Sequence, residues 1–501
     1  MSSIKKLAGQ TFWYGFSNIF GRFLNYLLTP LLTSIYGSEQ YGDISILFAA
    51  AAFLNIVFTY GMETSYFRFS TLHPEKEVYN TASTSIMITT LMLVVVLMAP
   101  VSSLASFMKL DKHPEFVKWV LWIVALDTLA VLPFSKLRYE GRPRKFAAIK
   151  IVNILINVGL VIFFLVWCKG QYEKKAGNMW SVLYNPDIDL GYVFLANLIA
   201  SAVTLLLLGK ELLSFRFSFN KPLLKEILLY SAPLIIVGFG GMVNETIDRF
   251  MIVHLHNGSV GAAKSANGIY SANYKLAVLI VLFIQAFRMG AEPFFFKQSG
   301  DENAPKTYAR VMKFFVITCC VCFLAVVLFL DFWKYFMGIR KHPEYLQGLV
   351  VVPVLMLAKI CLGAYYNLSI WYKLTNKNLT GAYITIGGAV ITVLFNYIFI
   401  PRWGYVACAF ATLLCYGFMM VASYRLGQKH YPIPYAWKKL SAYVVICILL
   451  FLLHQLFRKF SPSVWWTHLF GFLLLTAFVI FILKIEKKEF QKLPFIGKFI
   501  R

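Results

Sequence analysis

Acidic residues are scarce in this chain: 23 Asp and Glu stand against 48 Lys and Arg in 501 residues, and only 14% of positions carry a charge. Long polar stretches are missing as well, so a water-soluble globule is excluded. A chain with 59% hydrophobic and 17% aromatic residues would have nowhere to bury that surface. H-E-x-x-H, G-x-S-x-G, a P-loop and clustered carboxylates of the D-D-x-x-D kind are all absent, which argues against a zinc hydrolase, a serine hydrolase and an ATP-driven pump. The eight cysteines lie in or at the ends of apolar runs. Cys319, Cys320 and Cys322 crowd together, but helical neighbours point in different directions, so inert buried thiols are expected and no metal or cofactor. No low-complexity tract or soluble appendage is visible. The longest external loop, about residues 169–189, is too short for a catalytic domain, so function is expected among the helices.

What is present is apolar and periodic. Fourteen long runs fall near 11–35, 43–66, 82–107, 116–135, 147–168, 190–209, 226–253, 268–291, 311–331, 349–371, 380–400, 403–424, 440–457 and 464–483. A hydrocarbon core of ~30 Å needs about 20 apolar residues per helix, and a helix satisfies its own backbone groups in lipid. The expected fold is an all-α polytopic membrane protein with about 14 transmembrane helices.

The net charge of +25 is explained by where it lies. Alternate loops collect 31 of the 48 basic residues, including Lys136, Arg138, Arg142, Arg144, Lys145, Lys150 and the tail from Lys484 to Arg501. By the positive-inside rule that side is cytoplasmic, and both termini with it. The charge therefore sets topology, and nucleic acid is not an expected partner. Lys5 and Lys6 precede an apolar run too long for a signal peptide, so the first run is expected to stay as a helix.

Polar residues inside the runs carry the functional signal. Thr11, Gly15, Asn18, Arg22, Asn25, Thr29 and Thr33 recur three or four apart along one face of the first run. Such a stripe packs against other helices or lines a wet cavity, and a full charge several turns deep is functional by default. The seventh run adds Glu245, Asp248 and Arg249, with Glu245 and Arg249 spaced to neutralise one another. The eighth adds Lys275, on a face shared with Ser271, Gln285 and Glu292, and the tenth adds Lys359. Arg22, Arg249, Lys275 and Lys359, with Asn18 and Asn25, are the expected contacts for an anionic substrate. Asp127, Glu245, Asp248 and Glu292 are candidates for charge balance or ion coupling. Glu63 is expected to pair with Arg68. Pro30, Pro233, Pro293 and Pro353 interrupt spans, and Pro233 with Gly238, Gly240 and Gly241 is the most hinge-like group.

The end of the first run, Ser34-Ile35-Tyr36-Gly37-Ser38 before Tyr41-Gly42, is echoed after the seventh by Asn257-Gly258-Ser259 before Gly268-Ile269-Tyr270. Two six-helix halves around a central cavity plus two further helices follow: residues 1–215, 216–430 and 431–501, with the substrate between the halves.

Taken together, Thr11-Phe12-Trp13-Tyr14-Gly15, Pro30-Leu31-Leu32-Thr33, Tyr41-Gly42, Asp248-Arg249-Phe250-Met251-Ile252, Gly268-Ile269-Tyr270-Ser271-Ala272, Lys275-Leu276-Ala277, Ala286-Phe287 and Pro293 make the chain resemble polysaccharide transporters of the oligosaccharide-lipid flippase kind. Their superfamily also holds multidrug extruders and peptidoglycan-precursor flippases. The resemblance implies alternating access and a polyprenyl-pyrophosphate-linked oligosaccharide as substrate, handled by a cationic cavity in a bacterial inner membrane. Membrane lipids and other glycan-assembly proteins are the expected partners. The competing expectations are a cation-coupled multidrug exporter, which would favour buried acids over buried cations, and a membrane glycan polymerase or ligase, which would need a larger external loop.

Overall fold

The computed structural model describes residues 19–21, 23, 24, 26–175, 177–336, 341–375, 377–460 and 463–491; the side chains of 292, 293, 336 and 378 are outside that description. The described residues form helices and turns without a strand. Among the described residues thirteen helices are long and apolar enough to cross a membrane: Ser38–Phe69, Glu75–Met98, Pro114–Tyr139, Pro143–Glu173, Asp189–Leu207, Lys221–Leu255, Val260–Gln298, Ala304–Val327, Pro343–Leu374, Leu379–Trp403, Val406–His430, Trp437–Phe460 and Val464–Ile485. Each coincides with one of the expected runs from the second to the fourteenth. The run at 11–35 lies partly outside the described residues; positions 26–35 are helical. The chain is a multi-pass membrane protein.

These helices leave large apolar side chains on the outside, such as Leu91 at 65% and Val95 at 63% exposure. In water that surface would aggregate, whereas lipid solvates it. Two helices exceed any bilayer. Lys221–Leu255 has 35 residues and Val260–Gln298 has 39, so at 1.5 Å per residue they extend about 50–60 Å against a core of ~30 Å. The first of them continues through Pro233.

The chain divides into two compact units, Met1–Ala272 with Thr385–Cys408, and Asn273–Ile384 with Ala409–Arg501. In the first unit the Ser38–Phe69 span is broken at Tyr60 and Gly61, both left-handed with φ of 32° and 75°. Gly61 serves there for two reasons. Its φ suits a residue without Cβ, and an added Cβ would lie 3.2 Å from Leu234 Cβ. The Tyr60 hydroxyl anchors the break, 2.9 Å from Ser85 Oγ. Around it Met62, Tyr66, Val78, Tyr79, Leu132 and Ile227 make a core joining four helices. The loop after Lys169 is tied down by Asp189, which accepts from Lys169, Tyr184 and Tyr36 at 2.9, 2.6 and 3.2 Å.

In the second unit Ala358, Leu362, Tyr365, Cys415, Tyr416 and Met419 pack the Pro343–Leu374 helix against Val406–His430. Glu486, just past the last span, is buried and binds Lys439, Lys313 and the Tyr443 hydroxyl at 2.6, 2.8 and 2.6 Å. Burial pushes its carboxyl up, but the two lysines and the tyrosine outweigh burial and hold it at about 2. Glu211, in the short Gly209–Leu213 helix, is likewise buried; Lys145 and Arg142, at 2.6 and 2.9 Å, outweigh its burial and hold it below the usual range.

Candidate functional site

The two echoed segments meet. Gly42 and Gly268 place the Ser38–Thr59 and Val260–Gln298 helices backbone to backbone: a Cβ on Gly268 would lie 1.8 Å from the Ser38 carbonyl oxygen, and one on Gly42 would lie 2.1 Å from that of Lys264. Only glycine permits such an approach. Around the crossing, Ser38 and Ser265 hydroxyls lie 2.6 Å apart, Ser45 donates to Ser271 at 2.6 Å, and Asn267 donates to the Gly42 carbonyl at 3.0 Å. Lys264 pairs with Asp43 at 3.0 Å. Ser271, which shares the predicted polar face with Lys275, is thus engaged in helix packing, while Lys275 is half-buried in the second unit.

Two residues past Gly268, Tyr270 reaches the first charged centre. Its hydroxyl donates to Asp248 Oδ2 at 2.5 Å, and Arg249 Nη1 donates to Asp248 Oδ1 at 2.7 Å and to the Glu245 carbonyl at 2.5 Å. The guanidinium lies 5.5 Å from the Tyr270 ring centroid. All three residues are buried. Arg249 thus meets the Glu245 carbonyl and makes a side-chain ion pair with Asp248. A step back along the helix, Asn244 donates to the Thr385 carbonyl at 3.2 Å. Asn396, fully buried on the Leu379–Trp403 helix, has no hydrogen-bond partner for either amide atom among the described residues.

A second polar centre of the first unit joins three helices. Ser201 donates to Asp127 Oδ1 at 2.7 Å, and Asn153 donates to Thr204 Oγ1 at 2.8 Å. Lys150 lies 4.4 Å from the Phe134 ring centroid, with Asp127 and Glu63 as the carboxylates whose charge reaches it. Counting Lys150 among the cytoplasmic basic residues hid it; its place inside a span is the signal that finds it. Glu63 itself pairs with Arg138, while Arg68 lies over the Tyr230 ring at 4.5 Å. Positions 63 and 68 are five apart, on different helix faces, so the expected Glu63–Arg68 pair does not form.

In the second unit Lys359 is fully buried. Its ammonium donates to the Tyr274 hydroxyl at 2.5 Å and lies 4.8 and 5.1 Å from the Tyr274 and Tyr416 ring centroids. Lys359 and Tyr274, the neighbour of Lys275, thus sit together. Arg22, Asn18 and Asn25 lie outside the described residues, as does the side chain of Glu292. Among the described residues no group of three or more His, Cys, Asp or Glu could hold a metal.

A helical membrane fold with charged centres inside it can now be set beside known proteins. The polysaccharide biosynthesis protein family matches residues 7–299. The chain belongs to this family. No curated protein matches it. Among solved structures, the lipid II flippase MurJ in an inward closed conformation is 15% identical, covering 94% of this chain and 99% of its own, with a TM-score of 0.68. An inward-facing multidrug resistance MATE family transporter of the MOP superfamily is 14% identical, covering 84% and 94%, with a TM-score of 0.64. An outward-facing transporter of the same MATE family is 15% identical, covering 88% and 96%, with a TM-score of 0.55. At such identities it is the fold that is shared. That fold is the one that the lipid II flippase MurJ and these MATE transporters have.

Proposed function

We propose that the protein moves a polyprenyl-pyrophosphate-linked oligosaccharide across the bacterial cytoplasmic membrane, by alternating access and without bond chemistry, to supply surface polysaccharide such as O-antigen, capsule or exopolysaccharide. The observation that carries this reading is the set of cations held deep in a lipid-spanning fold: Arg249, Lys150 and the fully buried Lys359. A cation in a low-dielectric setting attracts an anion far more strongly than it would in water. A family concerned with polysaccharide biosynthesis supports a glycan-bearing anion, and a fold shared with a lipid II flippase supports a lipid-linked one.

The lipid tail has a matching feature. An apolar cavity of about 460 Å³ in the second unit is lined by Leu357, Ile360, Leu413, Val444 and Ile448, with Tyr424, Tyr435 and Trp437 among its polar-edged members. Aromatic residues with one polar edge suit the level where a tail leaves the headgroup region. Arg22, Arg249, Lys275, Lys359, Asn18 and Asn25 are the headgroup contacts in this proposal, and Asp127, Glu245, Asp248 and Glu292 balance charge or couple an ion. The moving parts are two six-helix lobes, 1–215 and 216–430, with 431–501 alongside and both termini cytoplasmic.

Purified protein in liposomes should move a polyprenyl-pyrophosphate sugar between leaflets without ATP. New glycosidic linkages in that assay would overturn the proposal in favour of a polymerase, and drug efflux with no lipid movement would overturn it in favour of an exporter.

A further inference from the structure

The Pro143–Ile162 helix carries three polar residues in register, Lys150, Asn153 and Asn157. They are three and four apart and so lie along one face, covering about 10 Å of helix axis. Lys150 begins this row seven residues inside the helix, about 10 Å from its start. It rests on the ring of Phe134, itself buried against Phe146 with centroids 5.2 Å apart. It forms no ion pair within 4.0 Å among the described residues. At the other end of the row, Asn157 Oδ1 is buried without a hydrogen-bond partner among the described residues. Asn153 is fixed between them by Thr204. Asp127, braced by Ser201, faces the same cluster and supplies a carboxylate acceptor.

Each half of this set is incomplete alone. A simple anion would need the lysine but neither the amides nor the carboxylate. A neutral sugar would use the amides and the carboxylate, and would leave a deep ammonium without a counter-charge, which is costly in lipid. A phosphate joined to a pyranose uses all four, because its charge meets Lys150 while its hydroxyl or acetamido groups meet amide and carboxylate oxygens. We propose that Lys150, Asn153 and Asn157, with Asp127, form a sugar-phosphate subsite in which Lys150 binds phosphate and the remaining three read the adjacent sugar. This rests on the flippase reading and adds to it the residues that recognise the phosphate-proximal sugar.

The full chain in lipid nanodiscs tests it with three probes: farnesyl-pyrophosphate-linked N-acetylglucosamine, farnesyl pyrophosphate and N-acetylglucosamine 1-phosphate. Lys150→Gln should weaken both farnesyl probes by about tenfold or more, and Lys150→Arg should stay within about threefold of the parent. Asn157→Leu should weaken the sugar-bearing probe by about fivefold and leave farnesyl pyrophosphate within about twofold. If Lys150→Gln yields little folded protein, the neutral pair Asp127→Asn/Lys150→Gln replaces it, with the same expected loss. Binding of both farnesyl probes within about twofold of the parent in Lys150→Gln, or in the neutral pair that replaces it, would overturn the subsite while a flipping parent keeps the function intact. Equal losses on both farnesyl probes for Asn157→Leu would also overturn it, as they mark a structural role. If N-acetylglucosamine 1-phosphate bound as tightly as the farnesyl-linked sugar, the subsite would serve a soluble sugar phosphate and the lipid-linked assignment would fall. A parent that binds no probe and moves no lipid-linked sugar overturns the function and the subsite together.

Discussion

Arg249 and Lys150 are both cations inside spans of the same unit, yet their surroundings differ in kind. Arg249 has a carboxylate 2.7 Å away on the next residue, and that carboxylate is held from its other side by Tyr270. Lys150 has an aromatic ring under it, and Asp127 is turned to Ser201 at 2.7 Å. One positive charge meets a carboxylate at contact distance; the other meets an aromatic ring. Position inside a span alone would class them together, whereas the partners show that only the first has its charge neutralised at contact distance.

The largest effect should come from breaking the neutralised pair. Arg249→Ala leaves Asp248 buried with one hydrogen bond from Tyr270, at a cost of about 3–5 kcal/mol. The folded fraction in detergent, followed by size exclusion and thermal melting, should fall sharply. Asp248→Asn/Arg249→Met removes both charges and should recover most of the loss. If Arg249→Ala instead melts like the parent and only transport is lost, Arg249 serves the headgroup alone and its pair with Asp248 adds nothing to stability.

The geometry that delivers Tyr270 to this pair can be broken separately. Gly268→Ala drives a methyl group into the Ser38 carbonyl oxygen, 1.8 Å from its ideal position. The two helices must part, costing about 2–3 kcal/mol and loosening Tyr270 from Asp248. Thermal melting reads the first effect. The second appears as a smaller additional penalty for Arg249→Ala in the Gly268→Ala background than in the parent, because the two changes share one contact region.

These pairs also mark how far the amino-acid sequence alone could be read. Every expected run from 43–66 to 464–483 became a spanning helix, since run length and hydropathy answer directly to bilayer thickness. The Tyr41-Gly42 and Gly268-Ile269-Tyr270 segments were visible as an echo, but their backbone contact was not, because a repeat carries no distance. Helical spacing points Arg249 at Glu245 and says nothing of Asp248, whose short side chain, held by Tyr270, reaches the guanidinium from the adjacent position. Glu63 turned to Arg138 across helices rather than to Arg68 on its own. Lys150 is easily passed over because a basic residue near a helix end reads as a topology signal, although it lies inside the expected 147–168 run. Spacing exposes what one helix can do, and pairing between helices needs the fold.

A paired charge at the membrane edge should fall between the two extremes. Glu486 is buried like Asp248, but its partners Lys313 and Lys439 are 14% and 42% exposed, so water screens them when the acid is removed. Glu486→Gln should cost about 2 kcal/mol near neutral pH. The pH dependence has a definite sign. The folded carboxyl sits at about 2 against an ordinary 4.5, so its contribution is present above 4.5 and is lost as pH falls toward 2. Melting temperatures of the parent and of Glu486→Gln in detergent should therefore converge through that window. Curves that stay parallel would mean that the ion cluster contributes nothing to stability.

The smallest change in stability should come from the unneutralised charge. Lys150→Gln takes away an ammonium that has no carboxylate within 4.0 Å among the described residues, so no buried acid is stranded at contact distance as it is when Arg249 is lost. The cost is one cation–π contact with Phe134, about 0.5–1 kcal/mol, offset by no longer holding a charge in lipid. The net shift in thermal midpoint should be close to zero in either direction. Transport of a polyprenyl-pyrophosphate sugar in liposomes should nevertheless drop about tenfold, because a charge-assisted hydrogen bond to phosphate is lost. That combination, a folded protein that melts normally and transports poorly, is the reverse of the Arg249→Ala outcome. A Lys150→Gln protein that melts several degrees lower and loses transport only in proportion to its folded fraction would place Lys150 in the same structural class as Arg249.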